Sequence, residues 1–434
     1  MDPYYELAYA LESKSICMFV GTGFSMHVTD LKAPSWLELL KKCAKQIEYG
    51  DELIEQLFPD NKPVMPLEEC ASIIQARMQS EGKCLHSEIA KIISKLKLGN
   101  GADDVKEFVQ RFPDLKFITT NYDHLIENGL LEDKDSTTYS IGYPVNRQQK
   151  GVQVYHVHGS VKYPKKMVVT ADDYFRFINR PDYFSKKIQT LIEENTTVII
   201  GYSLGDINFR AILSNQRSNR IHDINRQNLF FLSRSEVDQN VKDYYDRSYG
   251  LRVIDNTEID DFISEILDKH EKIKDRVAES KNLLMPVLEG KNKFTDTYLK
   301  ERDSFFEIVA TLSSNGILIS HPDVMKFLKD VLRRKDNFTS EDGAWLQYVH
   351  LANWLIHLGS IMDIKETPLE EAYLSAVNTS FGNMSKKQVL GRSWDAFTAW
   401  KIGWYSLTYD NRQLIIQHFN ENHISADGEE VINQ

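Results

Sequence analysis

The chain has 434 residues, of which 42% are hydrophobic and 26% charged, and its formal net charge is −11. This composition is typical of a soluble globular protein long enough for two or three domains of roughly 100–200 residues each. The acidic balance argues against a protein that grips nucleic acid with a basic surface of its own, so any contact with nucleic acid is expected to be indirect.

The four cysteines are Cys17, Cys43, Cys70 and Cys84. They form no Cys-x-x-Cys pair, so a structural zinc site is not expected. The opening residues lack the basic region of a secretory signal, and no apolar run reaches the length of a membrane span. We therefore expect a cytoplasmic protein with reduced thiols and no membrane contact.

Short apolar runs alternate with amphipathic stretches over the first two-thirds of the chain. The runs have four or five residues and are largely apolar on both faces, as in parallel strands covered by helices. Helical periodicity lies between them, for example over 36–48 and 183–194. The alternation predicts a doubly wound parallel α/β sheet. The predicted strands are 16–20, 116–119, 154–157, 197–200, 229–232 and 251–254.

Two regions depart from this alternation. Residues from about 60 to 100 show helical periodicity without a strand signal, which predicts a helical insertion beside the sheet and a cleft between them. Strand signals nearly vanish after about residue 280, which predicts an all-helical C-terminal domain over 281–434, with loops at 378–382 and 409–411. Its dense aromatic residues suggest oligomerisation or partner binding. The tryptophans expected in its core are Trp345, Trp354, Trp394, Trp400 and Trp404.

The first turn with a chemical signal is Gly21-Thr22-Gly23-Phe24-Ser25, directly after the first predicted strand. Glycines let the backbone approach a pyrophosphate closely, and the following helix start supplies N–H donors. The third glycine of the dinucleotide-binding fingerprint is missing. An ordinary strand-to-helix turn explains the pattern equally well.

Two further segments end predicted strands with polar side chains. Asn121 and Asp123 lie in Thr119-Thr120-Asn121-Tyr122-Asp123, where either could simply cap the next helix. His158 precedes a glycine, and strand alternation would place it on the same side as His156. We expect no metal at this histidine pair, because no third ligand stands at a helpful spacing.

A fourth segment, Gly201-Tyr202-Ser203-Leu204-Gly205-Asp206, follows another predicted strand. Its amides and the Ser203 hydroxyl could hold a ribose or a phosphate, although a plain turn is as good an explanation. Ligands bind outside the carboxyl ends of parallel strands, which is where all four segments are expected.

In this order and context the four segments resemble the sirtuin family. The glycine-rich turn of that family is similar to residues 21–25, its Gln-Asn motif to 119–123, its catalytic His-Gly to 158–159, and its later Gly-x-Ser turn to 201–203. The resemblance covers roughly residues 10–260. It implies a Rossmann-like doubly wound parallel sheet within a sirtuin-like NAD-binding domain over 1–280.

Three departures separate the chain from sirtuin deacylases. No cysteine follows Cys84, so the paired cysteines of the deacylase zinc module are absent. Residues 31–36 stand where deacylases carry a Pro-Asp-Phe-Arg stretch, and Thr120 replaces the usual Gln. The pattern is similar to the divergent sirtuin-like domains of bacterial antiphage systems, which consume NAD.

The resemblance implies hydrolysis of the nicotinamide–ribose bond of NAD to nicotinamide and ADP-ribose, with NAD as substrate and no metal. Asn121 would orient the ribose hydroxyls or the attacking water, and His158 would be the general base. Asp123 would contact nicotinamide or hold the pocket. The residues that would line the dinucleotide are Gly21, Thr22, Gly23, Phe24, Ser25, Gly201 and Ser203.

The resemblance further implies a regulated effector of antiphage defence that depletes NAD, a homo-oligomer, and either a HerA-class ATPase partner or a phage protein as trigger. An NAD-dependent protein deacylase is an alternative that the missing zinc cysteines disfavour. A subunit that senses NAD or ADP-ribose within a larger complex with an ATPase is another. A nuclease subunit is disfavoured by the acidic balance.

Overall fold

The computed structural model describes residues 3–141, 143, 150–179, 183–203, 229–422 and 425–433, the side chains of 178, 179 and 183–185 excepted. One seven-stranded sheet lies at the centre of the N-terminal region. Its strands are β1 (Ile16–Val20), β2 (Lys116–Thr119), β3 (Ser136–Ser140), β4 (Val152–His156), β5 (Thr196–Ile200), β6 (Leu229–Leu232) and β7 (Leu251–Ile254).

Every strand pairing in this sheet is parallel, and the order is β3-β4-β2-β1-β5-β6-β7. The chain builds outward from β1 in one direction through β2 and in the other through β5. The strand order therefore reverses beside β1, and in open parallel sheets the ligand crevice lies at such a point. The predicted doubly wound Rossmann-like architecture is confirmed.

The apolar character of the strands explains why the sheet is buried on both faces. All five residues of β1 are buried. Because successive side chains point to opposite faces, Met18 and Val20 join one core with Val198, while Cys17 and Phe19 join a second core. Two layers of helices are needed to cover these cores.

The predicted strands correspond closely to the observed ones, with one strand missed. Four match to the residue, β5 begins one residue earlier than predicted, and β4 is shifted toward Val152. The missed strand is β3, whose sequence Ser-Thr-Thr-Tyr-Ser carries no apolar run. Within the described residues it lies at the end of the sheet and pairs with β4 alone, so its burial needs few apolar side chains.

Helices precede, separate and follow the strands. Those up to residue 111 are α1 (Pro3–Glu12), α2 (Thr22–Val28), α3 (Trp36–Ala44), α4 (Gly50–Leu57), α5 (Leu67–Ser80), α6 (Leu85–Ile93) and α7 (Asp103–Arg111). Those from residue 171 to 288 are α8 (Ala171–Asn179), α9 (Tyr183–Glu194), α10 (Gln239–Tyr249) and α11 (Ile259–Leu288).

The helical insertion extends over α3 to α6 and has a core of its own. Leu40 and Cys43 of α3 share this core with Ile74 of α5 and Ile89 of α6. Helix α3 begins at a capping box in which Ser35 and Glu38 satisfy each other's backbone N–H groups. Tyr122, from the turn after β2, enters the same core, and the insertion is thereby packed against the carboxyl end of the sheet.

The C-terminal region is helical. It contains α12 (Asp296–Lys300), α13 (Ser304–Ser314), α14 (Pro322–Phe338), α15 (Trp345–Ile361), α16 (Glu370–Gly382), α17 (Trp394–Gly403), α18 (Tyr409–Asn422) and α19 (Ala426–Ile432). Trp354, Tyr373 and Trp400 are fully buried in its core. Helix α11 runs without a break through residue 280, where we expected the two domains to meet.

Three details of this region differ from the sequence expectation. Residues 378–382 complete α16 and 409–411 open α18, so neither segment is a loop. Trp345 and Trp394 each begin a helix and are 52% and 48% exposed, whereas Trp354, Trp400 and Trp404 are core residues as expected.

Specific contacts connect the two regions. Helix α1 packs against both α11 and α13. The guanidinium of Arg412 in α18 donates to the carboxylate of Asp243 in α10, and Gln239 donates to the carbonyl of Tyr405. No helix in the described ranges is long and apolar enough to cross a membrane.

Candidate active site

An open cavity, with about 690 Å³ of space that includes solvent at its mouth, lies where the helical insertion meets the carboxyl ends of β2 and β4. We call it the cleft. One wall comes from α3, α6 and the segments beside them, and the other from the turns after the strands. Its lining residues are Thr22, Ser25, Ala33, Pro34, Trp36, Leu39, Ile93, Leu96, Thr120, Asn121, Tyr122, Asp123, His158, Tyr174 and Tyr202.

Asn121 is fixed in the cleft by its backbone and its side chain. The backbone N–H donates to the Thr119 hydroxyl at 3.0 Å. The side-chain Nδ2 donates to the Gly21 carbonyl and to the Ser25 hydroxyl, both at 2.8 Å. The amide oxygen is therefore the atom of this side chain through which it can accept a hydrogen bond from a ligand.

Asp123 binds the backbone that follows it and lines the cleft. One carboxylate oxygen accepts from the Leu125 backbone N–H at 3.1 Å, just before the helical turn Ile126–Leu130, in which no side-chain cap is formed. The other accepts from the Ser25 hydroxyl at 2.8 Å. Burial raises the pKa of this carboxyl group above its ordinary value.

His158 lies in an aromatic environment. It is 4% exposed, and its ring meets those of Tyr174 and Phe177 edge-on at centroid distances of 5.2 and 5.5 Å. Burial lowers the pKa of this imidazole to about 4. At neutral pH the ring is uncharged, and a neutral imidazole is the form that can accept a proton.

The glycines of the first turn are explained by a close approach of two backbones. Gly21 donates its N–H to the Ile200 carbonyl and Gly23 donates to the Gly201 carbonyl, both at 2.9 Å. A Cβ on Gly23 would lie 2.8 Å from the Gly201 Cα. The N–H groups of Gly21 and Gly23, which were considered as donors to a pyrophosphate, thus already donate to carbonyl oxygens of the protein.

The other residues of that turn divide between cleft and core. Thr22 and Ser25 line the cleft. The side chain of Phe24 is buried in the core beneath the sheet, with its ring centroid 6.5 Å from that of Phe117. It lines neither the cleft nor the cavity beyond the end of β5. Any contact of Phe24 with a dinucleotide would have to come from its backbone.

A second open cavity, with about 1,020 Å³ of space that includes solvent at its mouth, lies beyond the ends of β5, β6 and β7. Gly23, Gly201 and Ser203 line it together with Ser233 and Arg234. Of the fourth sequence segment, Leu204, Gly205 and Asp206 lie outside the described residues.

Tyr202 borders both the cleft and the second cavity. Its ring stacks on Phe19, with centroids 5.1 Å apart and planes inclined by 2°. Its hydroxyl is 2.6 Å from the hydroxyl of Thr120, the residue that stands in place of the sirtuin Gln. The position of the Tyr202 side chain between the two cavities was not predicted from the sequence.

His124 and Glu127, neither of which was predicted as a site residue, converge with His156 behind Asn121. Oε1 of Glu127 lies 2.8 Å from Nε2 of His156 and 3.0 Å from Nδ1 of His124. One ligand atom from each group lies within 4.8 Å of the others, which is close enough to hold a metal ion. The spacing His124-x-x-Glu127 was the available sequence signal, because residues three apart in a helical turn share a face.

His156 and His158 contact different groups, although alternation suggested that they share a side. Strand β4 ends at His156, so the alternation does not extend to His158. His156 is fully buried and its Nδ1 is 3.0 Å from the Asn121 carbonyl. Burial alone would lower the pKa of this imidazole, but the Glu127 carboxylate raises it above the ordinary value.

A comparison with known families adds to this geometry. A family profile described as "SIR2-like domain" matches residues 115–254. The matched span contains Asn121, Asp123, His158 and Ser203, whereas the glycine turn after β1 precedes it. The resemblance to sirtuin-like proteins drawn from the sequence is thus confirmed.

The chain is similar to two kinds of curated protein. It is 25% identical over 228 residues to "NAD(+) hydrolase ThsA" of Bacillus cereus (strain MSX-D12), covering 50% of this chain and 44% of that one. It is 24% identical over 280 residues to "Defense-associated sirtuin 2" of Bacillus subtilis, covering 63% and 26%. The ThsA of Cytobacillus dafuensis is 24% identical over 215 residues, covering 49% and 40%. The chain thus spans between a quarter and a half of the length of these relatives.

Proposed function

We propose that the chain hydrolyses NAD at the bond between nicotinamide and ribose, giving nicotinamide and ADP-ribose. The observation that carries the proposal is that Asn121, Asp123 and His158 line one cleft of a SIR2-like domain. The names of the ThsA relatives, which are NAD(+) hydrolases, support the same activity. In the reaction the C1′–N bond breaks, water adds its oxygen to C1′, and one proton is released.

Asn121 orients the ribose or the attacking water. Its Nδ2 is held by the Gly21 carbonyl and the Ser25 hydroxyl, so the amide plane is fixed before the substrate arrives. The amide oxygen then accepts a hydrogen bond from a ribose hydroxyl or from water. Holding reacting groups in place in this way lowers the entropic part of the barrier.

His158 accepts the proton of the attacking water. Its low pKa keeps it neutral, and general-base catalysis of this kind is typically worth about 10²–10⁴-fold in rate. Tyr174 and Phe177 enclose the ring and limit the access of bulk water. Asp123 holds Ser25 and, through it, the amide of Asn121, and it lies where it can contact nicotinamide.

The substrate would extend from the cleft toward the second cavity. We place nicotinamide and its ribose in the cleft, beside Thr22 and Ser25, and the ADP portion along Gly23, Gly201 and Ser203. Tyr202 lies between the two parts. Gly21 and Phe24 would contribute backbone atoms only, since the Phe24 ring is buried in the core.

The wider role follows from the resemblance and remains part of the proposal. NAD depletion would serve antiphage defence in the cytoplasm, in keeping with the name of the Bacillus subtilis relative. The helical region over 281–434 would mediate a homo-oligomer or dock a HerA-class ATPase or a phage protein. Trp345, Leu346, Trp394 and Ile402 are exposed apolar side chains on that region.

The test is NAD hydrolysis by the purified full chain, with products resolved by chromatography. We expect nicotinamide and ADP-ribose from the wild type, and roughly 10²–10⁴-fold slower turnover from His158→Ala, because the general base is lost. His270→Ala is the matched control. His270 is also a buried histidine, but it pairs with Glu12, far from the cleft, and its loss should leave turnover unchanged.

Three results would contradict the proposal. Turnover by His158→Ala at the wild-type rate would remove the base from the mechanism. NAD binding without nicotinamide release by the wild type would indicate a sensing subunit instead. Nicotinamide release that requires an acyl-lysine peptide would identify a deacylase.

A further inference from the structure

The cluster of His124, Glu127 and His156 is not used by the proposed reaction. All three side chains lie behind the cleft, with His156 and Glu127 buried and His124 partly so. Glu127 belongs to the π-helical turn Ile126–Leu130, a rare conformation that often marks functional sites. The geometry of the cluster raises the question of which cation holds these groups together.

The protons of His156 can be assigned from its partners. Its Nδ1 faces the carbonyl oxygen of Asn121, which can only accept, so this nitrogen carries the hydrogen. In a neutral ring Nε2 then presents a lone pair to the Glu127 carboxylate, 2.8 Å away. Two acceptors at this distance require a cation between them, either a proton or a metal ion.

If the cations were protons, all the hydrogen bonds to the Glu127 carboxylate would go to one of its two oxygens. Oε1 of Glu127 would accept from His124, His156 and the Thr138 hydroxyl, which lies 3.0 Å away. Oε2 is buried and accepts no hydrogen bond from the described residues. A buried carboxylate oxygen without a partner is costly, whereas a metal ion can be bound by both oxygens of a carboxylate.

The partners outside the cluster match those of metal ligands. A histidine that binds a metal usually donates its other ring N–H to a carbonyl or carboxylate, as His156 does to Asn121. The outer nitrogen of His124 lies 3.4 Å from the Tyr143 hydroxyl. A ligating carboxylate is usually hydrogen-bonded in turn, as Glu127 is by Thr138.

We propose that His124 Nδ1, His156 Nε2 and the Glu127 carboxylate bind one divalent transition-metal ion of the zinc class. Two imidazoles and a carboxylate are a ligand set that Zn²⁺ accepts, with further positions open to water. At bond lengths of about 2.0–2.1 Å, tetrahedral ligand atoms lie about 3.3–3.4 Å apart, so the present 2.8–3.0 Å separations need widen by only a few tenths of an ångström. The ion would brace the backbone of Asn121 from behind.

The direct test is metal binding by the full chain, independent of NAD hydrolysis. The protein is stripped with a chelator and dialysed, then titrated with Zn²⁺ by calorimetry and with Co²⁺ by visible absorption. We expect one equivalent of either ion per chain, a d–d band for the Co²⁺ form, and a higher thermal midpoint with Zn²⁺. A metal ion that binds the native state and not the unfolded state stabilises the protein by mass action.

Variants locate the ion within the chain. Glu127→Gln keeps the shape of the side chain but removes the charge, and His124→Gln alters the least buried ligand. Loss even of an outer partner typically weakens a metal site roughly 10–100-fold, so each variant should bind Zn²⁺ at least about tenfold more weakly. The control is His270→Gln, which alters another histidine–carboxylate pair and should bind Zn²⁺ as the wild type does.

The proposal fails on either of two results. If the stripped wild type shows neither Zn²⁺ heat nor a Co²⁺ band, the cation is a proton and the cluster is a buried ion pair. If His124→Gln and Glu127→Gln bind Zn²⁺ as tightly as the wild type, the ion is held elsewhere. Should Glu127→Gln not fold, the Co²⁺ spectrum of the wild type and the affinity of His124→Gln decide.

Discussion

The carboxyl end of the sheet has two halves that differ in what their turns do. In the glycine half, the turns 21–23 and 201–203 follow β1 and β5 and press their backbones together. In the polar half, the turns 120–123 and 156–158 follow β2 and β4 and direct Asn121, Asp123 and His158 to the cleft. The two halves lie at the same edge of the sheet, but different physical requirements explain the residues found in each.

This difference shows how a glycine motif should be interpreted in such a fold. In the glycine half the N–H groups of Gly21 and Gly23 are occupied by protein carbonyls, so packing alone accounts for both glycines. In the polar half, packing does not account for the side chains, because no described residue donates a hydrogen bond to the Asn121 side-chain oxygen and His158 is held neutral among aromatic rings. The chemistry of the cleft therefore depends on the polar half.

Among variants that test this difference between the halves, Gly201→Ala is expected to change the free energy of unfolding most. Gly201 has a φ of +74°, and a Cβ there would lie 2.3 Å from the Phe24 nitrogen. The left-handed backbone costs roughly 1–2 kcal/mol for a non-glycine residue, and the clash adds roughly 1–3 kcal/mol. We expect the free energy of unfolding, measured by urea denaturation, to fall by about 2–5 kcal/mol.

The matched control is Gly316→Ala. Gly316 has a φ of +67°, but a Cβ there would meet no atom of the described structure within 4 Å. Gly316→Ala should lower the free energy of unfolding only by the cost of the left-handed backbone, roughly 1–2 kcal/mol. Equal losses at both glycines would show that the two turns are not tightly packed, so packing would not account for the glycines of this half.

A smaller effect is expected where the two halves touch. The Tyr202 hydroxyl, from the glycine half, lies 2.6 Å from the Thr120 hydroxyl of the polar half. A hydrogen bond of this kind contributes roughly 0.5–1.5 kcal/mol to stability. We therefore expect Tyr202→Phe and Thr120→Val each to lower the free energy of unfolding by that amount.

The double variant sharpens this result. Because the two hydroxyls bond to each other, Tyr202→Phe combined with Thr120→Val should cost less than the sum of the two single changes, although the Tyr202 hydroxyl also lies 3.5 Å from the Val20 carbonyl. Strictly additive losses in a denaturation cycle would mean that the two halves are energetically independent across this contact.

Most of the sheet could be predicted because its strands are short apolar runs. β1 is apolar at every position, and its burial on both faces follows from that. β3 could not be predicted, since a polar strand at the end of a sheet gains its place by pairing with β4 and not by burial of apolar side chains. In the helical region, residues 378–382 and 409–411 were predicted as loops because local composition does not reveal packing against distant helices.

The site was predictable as far as strand ends determine it. Asn121 and His158 follow neighbouring parallel strands, so their meeting in one cleft is consistent with topology alone. The core position of Phe24 and the cluster around Glu127 depend on side-chain directions, and the sequence does not give these. The roles assigned to Asn121, Asp123 and His158 remain predictions.

The most direct test of the central claim is to measure NAD binding and NAD hydrolysis together for Asn121→Ala. The account predicts that this variant still binds NAD by calorimetry but releases no nicotinamide, because the second cavity is intact and the orienting amide is gone. Hydrolysis at the wild-type rate would contradict the account, since the polar half would then not carry the chemistry.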